Sequence, residues 1–366
     1  MRSVINYAMK GRKRQLIGID IFAGAGGLSL GAEMAGIKMQ YAIECDQHAV
    51  SSYKRNFKDS QVFCADIRTV DPKEMRQDPV FIIMGGPPCQ GFSLSNTKTR
   101  DMSNPNNRMF EEFLRFVKEI KPIWFLFENV FGLTKFKKGD ENFGKYIESR
   151  FQKLGYTVNS KVLYASNYGV PQHRNRLFIV GNLNGVQYEF PEALGDTVTV
   201  DEAIGDLPVL KNGDMLNESP YSIPMEQATS YAQLMRSKSL TAKQNFVSRN
   251  ADYVIERYKY IGQGENWAAI PDKLMQNYAD KKRCHSGIYR RLMADRPSVV
   301  ISNYRKSMLI HPHQDRGLSV REAARIQSFP DHFIFEGPIS YVQQQIGNAV
   351  PPLLAMAVIE KILSYK

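Results

Sequence analysis

A single cysteine follows a short apolar run, on a turn rich in glycine and proline. The run 80–84 has the composition of a buried strand, and Cys89 follows it within the segment GGPPCQGFS, residues 85–93. At the carboxyl end of a buried strand a thiol lies where open α/β sheets bind their ligands, and its thiolate is a nucleophile. A structural turn with a buried, inert cysteine would have the same local sequence. The residues that surround Cys89 in the fold must therefore decide between these interpretations.

A glycine-rich loop after the first apolar run could hold a nucleotide-like cofactor. In FAGAGGLSLG, residues 22–31, Gly24 and Gly26 match the first two glycines of the dinucleotide fingerprint G-x-G-x-x-G, whereas Ser29 stands at the third position. Such glycines let backbone N–H groups and a helix amino terminus meet an anionic group. The mismatch at Ser29 weakens a dehydrogenase interpretation. A turn that only permits tight packing of a strand on a helix is the structural alternative.

Two carboxylates follow the next predicted strands at positions that suit an adenosine. Glu44 lies twenty residues after Gly24, where a carboxylate accepts from ribose hydroxyls, and Asp66 could accept from an adenine amino group. An adenosine-containing cofactor such as S-adenosylmethionine would use the loop and both carboxylates. Taken singly, either carboxylate is typical of a solvated residue at the end of a strand.

Apolar runs that alternate with helical periodicity would bring these residues to one edge of a sheet. Strands are predicted at 16–22, 39–43, 61–64, 80–84 and 123–127, and helices at 28–35, 47–56, 108–120 and 143–154. Strands joined by helices require crossover connections, which make a largely parallel sheet and an α/β fold. Two close runs without an intervening helix, 157–163 and 176–181, predict an antiparallel pair at the edge of this sheet.

The pattern changes in the second half of the chain. From about residue 182 to residue 314, Pro, Gly and Asn recur, helical periodicity weakens and no βαβ unit is evident. We predict a catalytic and cofactor-binding domain over 1–185, a smaller irregular domain over 186–335, and a carboxyl-terminal segment over 336–366 that returns to the first domain. An apolar helix that begins with two prolines is predicted at 351–365.

The composition indicates a globular protein with a polyanionic partner. The 366 residues carry a formal net charge of +11, which favours nucleic acid but also serves solubility. Basic residues interleaved with tyrosines suit phosphate contacts and base stacking, although a solvated helical face has the same composition. These residues are Lys281, Lys282, Arg283, Arg290, Arg291, Arg296, Arg305 and Lys306, with Tyr278, Tyr289 and Tyr304.

Cysteine usage and hydropathy indicate an intracellular protein. The four cysteines lack CxxC spacing, so we expect free thiols in a reducing compartment and no zinc site; they are Cys45, Cys64, Cys89 and Cys284. No apolar run reaches the roughly 18 residues of a membrane span, and no signal-like apolar core follows the basic amino terminus. We therefore expect a cytoplasmic protein without a membrane partner.

Further segments, taken in order with the glycine loop and Cys89, resemble a known enzyme family. They are Glu128-Asn129-Val130, Gln172-His173-Arg174-Asn175-Arg176, RGLSVREAARIQSFP at 316–330 and QIGNAVPP at 345–352. This order resembles the carbon-5 cytosine-specific DNA methyltransferases of prokaryotic type, and the resemblance runs from about Ile19 to Pro352. It implies a Rossmann-like S-adenosylmethionine-dependent methyltransferase fold, with a mostly parallel sheet and helices on both faces, and a target-recognition domain at 186–335.

The resemblance implies catalytic roles for four residues. Cys89 would attack carbon-6 of cytosine, so that carbon-5 becomes nucleophilic enough to accept a methyl group. Glu128 would act at ring N3 and the exocyclic amine, and Arg176 at O2, where negative charge develops. Arg174 would orient the site or hold a phosphate.

The resemblance also implies the ligand contacts. Contacts to S-adenosylmethionine are expected from Phe22, Gly24, Ala25, Gly27, Leu28, Glu44, Asp66, Ile67, Gly86, Pro88, Asn348 and Ala349, and no metal is expected. Contacts to double-stranded DNA are expected from Gln90, Ser93, Arg108, Arg290, Arg291 and Arg305. The target cytosine would have to flip out of the duplex to reach the thiol.

Two other functions share part of this sequence pattern. An RNA methyltransferase that acts on tRNA uses the same scaffold, but its branch of the family carries a Cys-Phe-Thr signature that this chain lacks. A catalytically silent DNA-binding regulator would be expected to lose the nucleophile or the glutamate, and both are present. The compact length suggests a bacterial or phage modification enzyme, acting as a monomer and paired with a restriction endonuclease that acts separately.

Overall fold

The computed structural model describes residues 15–75, 79–88, 109–135, 137–138, 141–276, 287–302, 304 and 308–366. The strands are β1 Ile17–Ile21, β2 Lys38–Glu44, β3 Gln61–Cys64, β4 Ile82–Gly85, β5 Trp124–Val130, β6 Lys137–Lys138, β7 Glu141–Asn142, β8 Thr157–Tyr164, β9 Asn175–Asn182, β10 Met215–Ser219 and β11 Ala242–Phe246. The α-helices are α1 Gly27–Met34, α2 Gln47–Asn56, α3 Met109–Ile120, α4 Phe143–Gln152, α5 Val200–Ile204, α6 Ser230–Arg236, α7 Asp252–Tyr258, α8 Val320–Ile326, α9 Ile339–Asn348 and α10 Pro352–Leu363.

Seven of the described strands form one mixed sheet in the order β3-β2-β1-β4-β5-β9-β8. Strands β1 to β5 are parallel, whereas β9 is antiparallel to both of its neighbours, β5 and β8. The predicted α/β class and the predicted antiparallel pair are confirmed. The strand order reverses between β1 and β4, and the carboxyl edge at such a reversal is where ligands of open α/β sheets bind.

Helices cover both faces of the sheet. Since successive residues of a strand point to opposite faces, alternate residues of each strand meet different helices. In β5, Trp124 and Leu126 belong to the apolar cluster that includes α1 and α10. Phe125 and Phe127 belong to the cluster that includes α3 and α4. A strand that is buried on both faces must be apolar throughout, which explains why the central strands were recognisable as continuous apolar runs.

Strand β5 differs from its predicted extent. The apolar run 123–127 predicts a strand that ends before Glu128, but β5 continues to Val130. The extension arises from pairing with β9, since Glu128 lies opposite Phe178 and Val130 lies opposite Arg176. A carboxylate therefore lies within a strand of the sheet, where the apolar pattern alone predicts the strand's end.

The carboxyl-terminal helices belong to the core of the first half. The stretch Ile339–Leu363, which comprises α9 and α10, has the length and apolar composition of a membrane-spanning helix, and 61% of its most apolar window is buried inside the protein. Helix α10 packs directly on α1, where a Cβ added at Gly31 would lie 2.6 Å from Cβ of Ala355. Helices from the two ends of the chain are therefore in contact, and the predicted return of a carboxyl-terminal segment to a first domain stays a prediction.

The second half of the chain is organised by a buried charge cluster, formed by Arg325, Asp206, Asp331, Arg236 and Tyr221. The guanidinium of Arg325 donates to Oδ1 of Asp206 at 2.6 Å and to Oδ1 and Oδ2 of Asp331 at 2.7 Å each. The guanidinium of Arg236 lies 3.8 Å from the ring centroid of Tyr221, whose hydroxyl donates to Asp331 at 2.5 Å. The cluster connects Arg236 on α6 and Arg325 on α8 to Asp206, which follows α5.

The predicted domain boundaries, 1–185, 186–335 and 336–366, remain predictions. One apolar cluster contains residues from all three of these segments, from Ala23 to Ile362. A smaller cluster around Tyr258 and Tyr289 lies within the second segment.

Candidate active site

A buried carboxylate and a largely buried guanidinium form an ion pair at the carboxyl end of β5. Nε of Arg176 lies 2.8 Å from Oε1 of Glu128, and only 13% of the arginine side chain and 9% of the glutamate side chain are exposed. The register places Glu128 opposite Phe178, so Glu128 and Arg176 are diagonal neighbours on one face of the sheet. The structure thus brings together two of the four predicted catalytic residues.

Burial changes the proton affinity of both members of this pair. The loss of hydration raises the pKa of Glu128, although the positive charges of Arg176 and Arg174 oppose the change. Burial likewise lowers the pKa of Arg176, against the attraction of Glu128. A carboxyl group with a raised pKa retains a proton more readily than an exposed one, which is the property needed in a proton donor.

The segment that leads to Cys89 is fixed against the end of β5. Nδ2 of Asn129 donates to the Pro87 carbonyl at 3.0 Å. A Cβ added at Gly86 would lie 2.5 Å from Oε2 of Glu128, so glycine is needed for this close approach. Five predicted site residues lie outside the described residues, and the predictions for them stay predictions: Cys89, Gln90, Ser93, Arg108 and Arg305.

Arg174 lies in the protein interior and donates to the main chain. Its Nη1 and Nη2 donate to the carbonyls of Ile301 and Gly347, each at 2.9 Å. Burial lowers the pKa of Arg174 far below its usual value, and the charge of Arg176 adds to this effect. Both terminal nitrogens are therefore occupied by carbonyls from distant parts of the chain, which favours an orienting role over a phosphate contact.

The glycine loop lies at the carboxyl end of β1 and contacts the end of β2. The Gly24 amide donates to Oε2 of Glu44 at 2.8 Å, and the Cys45 and Asp46 amides donate to Oε1 at the same distance. The backbone at Phe22 and Gly24 has positive φ, 64° and 55°. A Cβ added at Gly24 would meet no heavy atom within 4 Å. Open space beside a fixed carboxylate fits the predicted adenosine ligand.

The other predicted cofactor residues of the amino-terminal half differ in exposure. Asp66 is partly exposed and accepts from Nε of Arg68 at 2.9 Å, and hydrogen bonds from Arg68 lower the pKa of Asp66 to about 2. An adenine amino group would have to share this carboxylate with the guanidinium. Pro88 is exposed. Three residues are buried in apolar clusters, so they offer a ligand little besides backbone atoms: Ala25, Leu28 and Ile67.

The turn between α9 and α10 returns to the glycine loop. A Cβ added at Gly27 would lie 2.3 Å from the Val350 carbonyl oxygen, so the start of α1 touches this turn directly. Asn348 is exposed at the end of α9, and Ala349 beside it is half-buried. The predicted cofactor residues from the two ends of the chain are therefore close together.

The two described arginines predicted to contact DNA differ sharply. Arg290 is half-buried, and no hydrogen bond of its side chain to another described residue is present. Arg291 is buried, and its guanidinium donates to four carbonyls and one carboxylate, those of Tyr258, Ile261, His311, Gln314 and Asp315. A phosphate could reach Arg291 only if these bonds were broken.

Two buried polar residues near the site were not among the predicted site residues. Asn129 fixes the Pro87 carbonyl, as described above. Gln172 donates from Nε2 to Oε1 of Gln327 at 2.8 Å and accepts from the Ile301 amide at 2.8 Å. Both stand in segments that the sequence singles out, but residue type alone does not indicate which distant backbone group a side chain will reach.

Comparison with known proteins gives consistent findings over the whole chain. Residues 16–364 match the model of a family described as C-5 cytosine-specific DNA methylase. The Type II methyltransferase M1.HphI of Haemophilus parahaemolyticus is 35% identical over 351 residues, which cover 94% of this chain and 86% of that protein. The Type II methyltransferase M.DdeI of Desulfomicrobium norvegicum is 36% identical over 370 residues, with 95% and 88% covered.

Solved structures share the fold. A putative DNA modification methyltransferase encoded within an E. coli prophage aligns with a TM-score of 0.77 at 27% identity, covering 96% of this chain and 99% of that chain. The methyltransferase EhMeth of Entamoeba histolytica aligns with a TM-score of 0.62 at 16% identity, covering 96% and 99%.

Proposed function

Since the chain belongs to the C-5 cytosine-specific DNA methylase family, we propose that it methylates DNA through a covalent bond between Cys89 and a flipped-out cytosine. The chain is a DNA cytosine-5 methyltransferase of the kind found in restriction–modification systems. The proposal concerns how it acts: the thiol adds to carbon-6, and S-adenosylmethionine is the methyl donor.

The observation that carries the proposal is the buried pair of Glu128 and Arg176, 2.8 Å apart, beside the segment that leads to Cys89. As the Cys89 thiolate adds to carbon-6, Glu128 donates a proton to ring N3 and Arg176 stabilises the charge at O2. Carbon-5 then has enamine character and takes the methyl group. A base removes the carbon-5 proton, Glu128 recovers the N3 proton, and the thiolate leaves.

The proposed cofactor site is formed by the glycine loop and the strand ends beside it. When bound, S-adenosylmethionine supplies an electrophilic methyl group. Gly24 and Glu44 would hold its adenosine part, Asp66 its adenine, and Asn348 would close the site from the carboxyl-terminal side. Within the described part of the chain, no group of three or more His, Cys, Asp or Glu side chains could hold a metal ion, and the proposed reaction requires none.

The proposed partners follow from the substrate. Duplex DNA hides carbon-6 in the base stack, so the cytosine must leave the duplex to reach Cys89. A separate cognate endonuclease, a monomeric state and a cytoplasmic location next to DNA are part of the proposal. Transfer of labelled methyl groups to duplex DNA rather than tRNA would separate it from the RNA alternative.

The decisive experiment is covalent trapping. DNA that contains 5-fluorocytosine keeps fluorine at carbon-5, where the reaction needs to remove a proton, so a thiol adduct cannot resolve. We expect a denaturation-resistant complex with the wild type in the presence of S-adenosylmethionine, and none with Cys89→Ser. A wild type that forms no adduct, yet binds the same duplex, would be the silent regulator instead.

We expect Gly86→Ala to lower the rate of methyl transfer by about 10²-fold, because misplacement of a catalytic group by about 1 Å can have an effect of this size. The added Cβ would lie 2.5 Å from Oε2 of Glu128 and must displace the carboxylate. Gly195→Ala is the matched control, since a Cβ there would meet nothing within 4 Å. Equal rates for the two variants would show that the close approach is unimportant.

Substitution by glutamine is expected to affect DNA binding at Arg290 and protein stability at Arg291. Arg290→Gln should weaken DNA binding without changing the free energy of unfolding. The slope of log affinity against log salt concentration should become shallower by about the amount that one phosphate contact contributes. Arg291→Gln should lower the free energy of unfolding by about 2–3 kcal/mol, because buried carbonyls lose a charged donor. Anisotropy titrations at several salt concentrations and urea unfolding measure the two effects. Weaker DNA binding by a fully stable Arg291→Gln would contradict this assignment.

A further inference from the structure

A chain of three buried polar side chains lies directly beneath the glycine loop. Asp20 on β1 accepts from the Ser29 hydroxyl on α1 at 2.6 Å, and the Ser29 oxygen lies 2.7 Å from the Tyr53 hydroxyl on α2. All three side chains are fully buried. Ser29 stands at the third position of the glycine fingerprint, where dinucleotide-binding loops have glycine. Here its hydroxyl connects the strand before the loop to the helix after it.

The Asp20 carboxylate in this hydrogen-bonded group is only partly satisfied. Oδ1 of Asp20 has no hydrogen-bond partner among the described residues, and in the same part of the chain no lysine or arginine forms an ion pair with it. The charged and titratable groups that face it are Glu44 from β2 and Tyr53 from α2, and Glu33 faces the tyrosine. The neighbours of Asp20 in the sheet are Ala42 and Met84, which carry no charge.

These surroundings make the protonation state of Asp20 sensitive to a nearby positive charge. Burial is the main cause that raises the pKa of Asp20 to about 7, the Ser29 hydrogen bond opposes it, and the negative charge of Glu44 adds to it. A group that titrates near neutral pH and lacks a counter-charge gains most from a cation placed nearby, because the interaction is weakly screened in the interior.

We propose that Asp20 is a positioning residue for the cofactor, which holds the first turn of α1 through Ser29 and releases a proton when the cationic cofactor binds. The inference rests on the proposed function, since it requires S-adenosylmethionine at the Gly24 loop. The sulfonium gives this ligand one more positive charge than its demethylated product, S-adenosylhomocysteine. The proton leaves the Asp20 carboxyl group for solvent, and the resulting carboxylate lies beneath the loop that would hold the ligand's positive charge.

The sign of the pH dependence follows from linkage. Below pH 7 Asp20 of the free protein is protonated, so binding must expel a proton and affinity for S-adenosylmethionine falls as pH falls. Above pH 7 the carboxylate is already ionised, and this dependence disappears. Each pH unit below the midpoint changes the dissociation constant by at most tenfold. The uncharged sulfur of S-adenosylhomocysteine should give a weaker dependence.

The test is calorimetric titration of the full chain with S-adenosylmethionine, without DNA, between pH 5.5 and 8.5 in two buffers of different ionisation enthalpy. The wild type should release a fraction of a proton near pH 6.5, and its affinity should fall about three- to tenfold from pH 7.5 to pH 6. The isosteric Asp20→Asn should lack both effects. The ligand's own amino group titrates identically with both proteins, so the difference between their profiles reports on Asp20.

A second variant separates proton linkage from a merely structural role. Ser29→Ala removes the hydrogen bond that favours the carboxylate, so the midpoint of the affinity profile should move to higher pH. The control is Ser51→Ala on the exposed side of α2, where the hydroxyl donates to the Gln47 carbonyl at 2.9 Å. If Asp20→Asn shows the same pH profile as the wild type, or if Ser29→Ala leaves the midpoint where it is, the inference about Asp20 is overturned while the proposed function stands. A wild type that binds neither ligand at any pH would overturn the proposed function as well.

Discussion

Replacement of Glu128 by glutamine is expected to slow methyl transfer to duplex DNA by about 10²–10⁴-fold, the usual contribution of a positioned acid or base. Glutamine has the same shape but cannot give an acidic proton to ring N3, so charge would accumulate on the pyrimidine as the thiolate adds. It would also leave Arg176 buried without a counter-charge. Single-turnover transfer of labelled methyl groups measures the rate, and a separate binding titration shows whether the DNA complex still forms.

Glu148→Gln is the matched control for this variant. Glu148 lies on α4, has 9% of its side chain exposed and pairs at 2.8 Å with Lys145, whose own side chain is 67% exposed. It therefore matches the burial of the Glu128 side chain outside the predicted site. We expect its rate of methyl transfer to stay within a few-fold of the wild type. Equal slowing of both variants would attribute the effect to lost stability and would remove the catalytic role of Glu128.

Replacement of Arg325 by methionine is expected to lower the free energy of unfolding by about 3–5 kcal/mol, because it leaves buried carboxylates without their partner. Arg325 is fully buried and donates to Asp206 and Asp331 at 2.6 and 2.7 Å. Methionine fills much of the space, but it offers no donor to either aspartate. Urea unfolding followed by circular dichroism measures the change.

Arg296→Met provides the exposed counterpart. Arg296 pairs with Asp295 at 3.3 Å, with 57% and 70% of the two side chains exposed. Solvent screens such a pair, so its removal should change the free energy of unfolding by about 0–1 kcal/mol. A similar loss in both variants would mean that the buried charge cluster contributes no more than a surface pair.

Much of the sheet could be predicted because its central strands are buried on both faces. Continuous apolar runs located β1, β4 and β5, and the absence of a helix between two later runs indicated the antiparallel pair β8 and β9. The same pair explains why Glu128 and Arg176 meet, since an antiparallel β9 begins where β5 ends. The apolar pattern did not place β9 beside β5, however, so the meeting of Glu128 and Arg176 follows from a strand order and register that only the assembled sheet shows.

Contacts between a side chain and a distant carbonyl could not be predicted. Arg174 and Arg291 both stand in basic segments. Arg174 is expected to orient the site or hold a phosphate, and Arg291 to contact DNA. Each is instead buried against main-chain oxygens, such as Ile301 for the first and Ile261 for the second. Every residue carries a carbonyl, so no residue type identifies such a partner. The fate of an arginine therefore depends on burial, which only the assembled fold determines.

The packing of α10 on α1 has a consequence for how the protein is made. The two helices are separated by almost the whole chain, yet the turn before α10 touches Gly27 at the mouth of the glycine loop. During synthesis, the amino-terminal sheet must wait for α10 to leave the ribosome before this contact can form, and contacts so distant in sequence form slowly. The contact between the glycine loop and the turn before α10 can therefore form only after the carboxyl-terminal helix has been synthesised.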